Sequence, residues 1–157
     1  MGWLSRILGG GQPSPNRPVE PRRADGPVPL AGDDSFSQEV VAESFYQEAL
    51  DAICGGKCED GHDRECHAIL KPEPENRHDK NAVAVVIEGS TVAYLDRETA
   101  VEFHKGMRAL GAGGGAASCA AIINGGWRRP QPRGKPDEGH YGVELDLVWP
   151  LRRAAGG

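Results

Sequence analysis

Hydrophobic positions recur along most of the chain at the short spacing that is typical of β-strands. Six runs either alternate between apolar and polar residues or are rich in β-branched residues. We predict strands over residues 40–41, 65–70, 82–88, 91–95, 118–123 and 141–148. Gly89-Ser90 joins two of these runs and predicts a β-hairpin with a type II′ turn. Neighbouring runs lie close together in the sequence, which favours a sheet built mainly by local pairing.

Two segments between the predicted strands have the spacing of amphipathic helices. In the first, Ser44 and Gln47 have the pattern of a capping box, so we predict a helix that begins at Ser44 and ends near Gly55. In the second, Asp96 is the predicted N-cap. The buried stripe of this second helix is predicted to consist of Ala100, Phe103, Met107 and Leu110.

The resulting order, β-α-β-β-β-α-β-β, predicts an α+β protein that is mostly β with two short helices. Strands that pair locally, with helices closing the ends, fit a small six-stranded β-barrel better than a parallel sheet. We assign the barrel to residues 36–150. Residues 1–35 are rich in Gly and Pro and are predicted to form a disordered tail, and residues 151–157 a short flexible tail.

Charge and composition limit the function classes. The net charge of −5 argues against a protein that coats DNA through bulk electrostatics, so any nucleic-acid contact must be a local site. No apolar run approaches the length of a membrane span, and residues 1–10 lack the pattern of a signal peptide. We therefore expect a cytoplasmic protein without membrane contact. The chain also has no P-loop or nucleophile-elbow motif, and we expect no catalytic activity.

A cluster of thiols and imidazoles indicates an alternative chemistry, a structural zinc site. Its candidate ligands are Cys54, Cys58, His62 and Cys66, with His67 next in sequence. The spacing does not match a CxxC knuckle, and consecutive strand residues such as Cys66 and His67 point to opposite faces. The competing interpretation is that Cys54 and Cys66 are buried free thiols.

Three stretches resemble the HIRAN domain when they are taken together. They are VVAESFYQ at 40–47, PEPENRHDKNAVAV at 72–85, and VAYL at 92–95 with the helix behind it. The middle stretch is the most specific of the three. The resemblance implies a small OB-like or SH3-like barrel that works beside helicase or nuclease partners in DNA repair or replication.

The HIRAN resemblance also implies a ligand, the 3′ end of single-stranded DNA. Phe45 and His78 match the positions of two aromatic residues that sandwich the terminal base, and Asp79 matches the acceptor of the 3′-hydroxyl. Tyr94 and Arg97 fall at positions near the DNA. The sequence departs from the family pattern at Ser44, where a phosphate-binding Arg is expected, and at His78, which replaces a Tyr.

Other interpretations of the same residues remain open. The loop at 125–129 offers Trp127 as a compensating aromatic, and Arg128 with Arg129 as phosphate contacts, but these arginines are more often solvated charges. Phe45 has an alternative role as a core residue. Asp79 has an alternative role as the organiser of an Asx turn. The second functional hypothesis is a protein-interaction barrel without DNA binding, with or without zinc.

Overall fold

The structure, a computed structural model, describes residues 26–156. Its elements in chain order are β1 (Val28–Pro29), β2 (Gln38–Glu39), a 3-10 turn (Glu43–Phe45), α1 (Gln47–Cys54), β3 (His62–Pro72), β4 (Val83–Ile87), β5 (Ser90–Tyr94), α2 (Arg97–Ala109), β6 (Ala117–Gly125), β7 (Arg128–Arg129), β8 (Asp137–Glu138) and β9 (Tyr141–Asp146). The predicted class, mostly β with two helices, is confirmed. Neither helix in this part of the chain is both long and apolar enough to cross a membrane.

The strands form one curled, largely antiparallel sheet and a separate two-stranded ribbon, β7-β8. The order in the sheet is β2-β9-β6-β3-β4-β5, and β1 pairs with β6 in parallel. The segment around β2 reaches both edges of this sheet. Gln38 and Glu39 pair with β9, and two residues later Val41 forms a β-bridge with Tyr94 on β5.

The predicted count of six strands is wrong, because the main sheet of residues 26–156 has seven. The extra strand is β1, whose two residues are too few to show any periodicity in the sequence.

The hydrophobic core collects the inward faces of the long strands and one side of each helix. Leu50 of α1 and Phe103 and Met107 of α2 are fully buried. The predicted stripe of α2 is thus buried at Ala100, Phe103 and Met107, and Leu110 is half-buried. The largest fully buried strand residues are Leu70, Val83, Val85, Ile87, Val92, Ile123 and Leu145. Because both helices pack on the same cluster as the strands, the described residues share one core.

One buried acidic side chain directs the chain from β1 to β2. Asp146, at the end of β9, is only 4% exposed. Its Oδ1 accepts hydrogen bonds from the backbone N–H groups of Asp33 at 3.2 Å and Phe36 at 3.3 Å, and its Oδ2 accepts from that of Asp34 at 3.0 Å. A Cβ at Gly32 would collide with the same carboxylate, so this position requires glycine. The carboxylate thus stabilises the turn at residues 33–36, after which β2 pairs with β9 at the edge of the sheet.

The predicted domain boundaries are wrong at both ends. Val28 and Leu30 are buried, and Leu151 is buried beyond the other predicted boundary. The two ends cover each other, since Leu30 forms a β-bridge with Arg153 and the N–H of Ala154 donates to the carbonyl of Pro29 at 2.9 Å. Residues 26–35 and 151–156 therefore belong to the folded unit. The rest of the two predicted tails, residues 1–25 and 157, lies outside the described residues.

The predicted start of the first helix is also wrong. The helix begins at Gln47, and no side chain caps it. Gln47 instead uses its side-chain amide on the edge of β9, where Nε2 donates to the carbonyl of Tyr141 at 3.0 Å and Oε1 accepts from the N–H of Tyr141 at 2.8 Å. The amide thereby satisfies edge groups that β2 is too short to reach.

Two local sequence signals, the turn of the hairpin and the N-cap of the second helix, can be compared with the structure. The turn between β4 and β5 is formed by Glu88 and Gly89, which both have positive φ (49° and 82°). This is the signature of a type I′ turn, so the predicted II′ turn at Gly89-Ser90 is wrong by one residue. In contrast, the predicted N-cap Asp96 is confirmed, because its Oδ1 accepts from the N–H of Thr99 at 2.8 Å.

Asp146→Ala should lower the free energy of unfolding by about 2–3 kcal/mol, because three N–H groups lose a charged acceptor. Chemical denaturation measures this change. Asp63→Asn, at an exposed strand position, is the control and should change the free energy of unfolding by less than about 0.5 kcal/mol. Equal stability of Asp146→Ala and wild type would contradict the role given to this carboxylate.

Candidate nucleic-acid interface

Phe45 stands on the 3-10 turn with its side chain in solvent. The turn is fixed from both edges of the sheet. The backbone of Val41 exchanges two hydrogen bonds with that of Tyr94, at 2.8 and 2.9 Å, while Glu43 Oε2 accepts from the N–H of Val143 at 3.5 Å. Phe45 is 83% exposed, the highest value among the exposed large hydrophobic residues of the described chain. This exposure excludes the interpretation of Phe45 as a core residue and leaves a bare aromatic surface.

The loop at residues 76–81 is ordered by its own side chains. Asn76 Oδ1 accepts from the backbone N–H groups of His78 at 2.9 Å and Asp79 at 3.2 Å. Asp79 Oδ1 in turn accepts from the N–H of Asn81 at 2.9 Å, so the Asx-turn role of Asp79 is confirmed. The other oxygen, Asp79 Oδ2, has no hydrogen-bond partner among the described residues. His78 is exposed and Asp79 half-buried, which leaves both accessible to a ligand.

A group of three polar side chains lies between the loop and the end of β5. The hydroxyl of Tyr94 donates to Glu73 Oε1 at 2.9 Å, and Asn76 Nδ2 donates to the same oxygen at 3.0 Å. The ring of Tyr46, next to Phe45 in the chain, lies 6.2 Å from that of Tyr94 between centroids. Burial, and then the neighbouring Glu73, raise the pKa of Tyr94, so this hydroxyl remains a proton donor. Glu73 and Asn76 both lie in the stretch at 72–85, but no pattern in the sequence predicts a role for either.

Positive charge is available on this loop and at the start of α2. Arg77 and Lys80 are exposed on the loop itself, and Arg97 is exposed in the first turn of α2. None of the three forms an ion pair with another residue in the range 26–156. Arg77 and Lys80 therefore place two cations without an ion-pair partner on this loop, where a phosphate group could be bound.

Trp127 and Arg128 do not join this group. The guanidinium of Arg129 lies 4.4 Å from the Trp127 ring, and a Cβ at Gly139 would collide with the indole. Arg128 Nε forms an ion pair with Glu138 Oε1 at 2.6 Å. Within residues 26–156, the contacts of these two side chains thus lie in or next to the ribbon, and none lies in the loop at 76–81. Their predicted contact with nucleic acid remains a prediction.

The four predicted zinc ligands are not brought together. Cys58 Sγ lies 3.8 Å from His62 Nε2, but this nitrogen is 2.9 Å from the carbonyl oxygen of Gly56. Cys54 and Cys66 are half-buried and pack against the core. Within residues 26–156, no three His, Cys, Asp or Glu side chains are arranged to hold a metal ion.

Compared with protein-family models, curated proteins and solved structures, the chain matches none of them. The HIRAN resemblance accordingly rests on the three stretches quoted above. The structure adds the geometry of the residues in those stretches. Phe45 is exposed, Asp79 has one oxygen free, and a hydrogen-bonded group containing Tyr94 lies between their two segments.

The four thiols should differ sharply in reactivity. Cys58 is exposed, whereas burial raises the pKa of Cys54 and of Cys66 and raises that of Cys119 to about 12. The thiolate is the reactive form, and a raised pKa depletes it near neutral pH. With Ellman's reagent at pH 8, we expect Cys58 to react promptly and the other three only after denaturation. Prompt reaction of Cys58→Ser protein would contradict this order.

Proposed function

We propose that the chain is a HIRAN-like, OB-like barrel that binds the 3′ end of single-stranded DNA and catalyses no reaction itself. In this proposal it acts in the cytoplasm, in DNA repair or replication, beside a helicase or nuclease that supplies the activity. The observation that carries the proposal is that the two carboxylate oxygens of Asp79 have different roles. One carboxylate oxygen organises the loop and the other is free, next to unpaired cations and in the same fold as an exposed phenylalanine.

The free oxygen of Asp79 suits the recognition of a strand end. A carboxylate repels an internal phosphodiester or a terminal phosphate, but it accepts a charge-assisted hydrogen bond from a terminal hydroxyl. Because Asp79 Oδ1 is held by the N–H of Asn81, Oδ2 is fixed in direction before any ligand arrives. Asp79 therefore supports selectivity for the end of a strand over its interior.

Affinity in this proposal comes from stacking and from a small number of phosphate contacts. A base stacked on an aromatic side chain contributes about 1–3 kcal/mol. Phe45 offers such a surface, and His78 a second, smaller one. The exposed Arg77, Lys80 and Arg97 then suit the phosphates that precede the terminal nucleotide. This set replaces the arginine that is missing at Ser44.

The Asp79→Asn variant tests end recognition. Asparagine keeps an oxygen for the N–H of Asn81 but loses the charge that separates a hydroxyl from a phosphate. We expect affinity for a 3′-hydroxyl oligonucleotide to fall about five- to tenfold, since hydrogen bonds to charged groups are the stronger ones. Affinity for the same oligonucleotide with a 3′-phosphate should rise. Fluorescence anisotropy with both oligonucleotides measures the two changes.

Asp63→Asn is the matched control for this experiment, because it makes the same charge change at an exposed position on β3. It should leave the preference for the hydroxyl end unchanged. If wild-type protein binds both oligonucleotides equally, the end-binding proposal is wrong. If it binds neither, the protein-interaction hypothesis becomes the better one.

The Phe45→Leu and Phe45→Trp variants test stacking. Leucine keeps an apolar side chain without an aromatic face, so DNA affinity should fall by the equivalent of about 1–3 kcal/mol. Tryptophan should bind at least as well as wild type. Both variants should melt at the wild-type temperature, because the Phe45 side chain is 83% exposed. Wild-type affinity in Phe45→Leu would show that Phe45 does not stack on a base.

A further inference from the structure

We propose that Glu73 joins the two halves of the DNA-end site, so that the hydroxyl of Tyr94 sets the position of Asp79. The inference rests on the proposed function for its ligand. It concerns side chains that hold the site in shape, and its first measurement needs no DNA. The halves are the aromatic segment at residues 41–46 and the loop at residues 76–81.

Tyr94 is attached to the aromatic half through its backbone. Its N–H and carbonyl exchange hydrogen bonds with Val41, four residues before Phe45, at 2.9 and 2.8 Å. Its ring also lies 6.2 Å from that of Tyr46. Any shift of the end of β5 is therefore passed on to the turn that carries Phe45.

The side chain of Tyr94 is attached to the loop half. Its hydroxyl donates to Glu73 Oε1, which also accepts from Asn76 Nδ2. Asn76 then uses its own oxygen for the N–H groups of His78 and Asp79. A continuous series of hydrogen bonds thus runs from the backbone of Val41 to the backbone of Asp79.

This geometry revises the role expected of Tyr94. The resemblance placed Tyr94 near the DNA, but its hydroxyl is already committed to Glu73 at 2.9 Å. Tyr94 is therefore a positioning residue that acts through Glu73 and Asn76. The same geometry makes Glu73 a hydrogen-bond acceptor for two side chains of the protein.

Each hydrogen bond to Glu73 can be tested with a variant and a matched control. Glu73→Gln keeps a carbonyl oxygen that can accept from both donors, whereas Glu73→Ala removes the acceptor. Tyr94→Phe removes only the hydroxyl. Tyr141→Phe is its control, because Tyr141 also donates to a carboxylate, Asp51 Oδ1 at 2.7 Å, on α1.

The first measurement is the solvent exchange of the His78 and Asp79 amide protons, followed by NMR in the free protein. Loss of one hydrogen bond in the series should speed this exchange about two- to tenfold in Tyr94→Phe and Glu73→Ala. Glu73→Gln and Tyr141→Phe should exchange as wild type does. Unchanged exchange in both Tyr94→Phe and Glu73→Ala would overturn the inference, whatever the protein binds.

The second measurement is the ratio of affinities for the 3′-hydroxyl and 3′-phosphate oligonucleotides. Tyr94→Phe and Glu73→Ala should lower this ratio about two- to tenfold, with Glu73→Gln restoring it. If exchange responds as expected but wild-type protein shows no preference between the ends, the proposed function fails and the coupling through Glu73 stands. A ratio that falls equally in Glu73→Gln and Glu73→Ala would show that the charge of Glu73 acts directly, which contradicts the coupling.

Discussion

The position of Phe45 depends on a carboxylate at the far end of another strand. Asp146 is buried, and burial of a charge is tolerated only where hydrogen bonds replace water. Three backbone N–H groups at residues 33–36 supply these bonds and thereby fix the turn that leads into β2. From there the chain spans both edges of the curled sheet within four residues, Gln38 to Val41, and enters the turn that carries Phe45.

The sequence predicted elements whose determinants are local, and it failed where partners are distant. Helix α2 was predicted correctly because Asp96 caps a residue three positions away and its apolar stripe repeats every turn. Gln47 has the same local pattern, yet its amide binds Tyr141, which is 94 residues away. The buried Leu30 and Leu151 were predicted to lie in tails for a similar reason, because the segment at Leu30 pairs with the segment at Arg153, which is far away in the sequence.

The residues of the candidate site also fall into those that the sequence predicts and those whose role depends on a distant partner. Asp79 could be predicted as a turn former from its own segment, and Phe45 as a candidate stacking residue from the HIRAN resemblance alone. Glu73 could not, because its role depends on Tyr94, which is 21 residues away. Trp127 and Arg128 were chosen for their residue types alone. The structure gives both of them partners within the protein, Arg129 and Glu138, which no composition argument reveals.

A net charge of −5 is compatible with DNA binding only if the protein avoids binding along the whole strand. The few cations beside Asp79 limit the binding free energy that phosphate contacts can contribute. That contribution would be the same at every position along a strand. Stacking on one aromatic residue and a bond to one hydroxyl add free energy only where both a base and a strand end are present. In the proposed function, an acidic protein with a few free cations beside one half-free carboxylate would therefore discriminate in favour of strand ends, because it would bind the rest of the strand poorly.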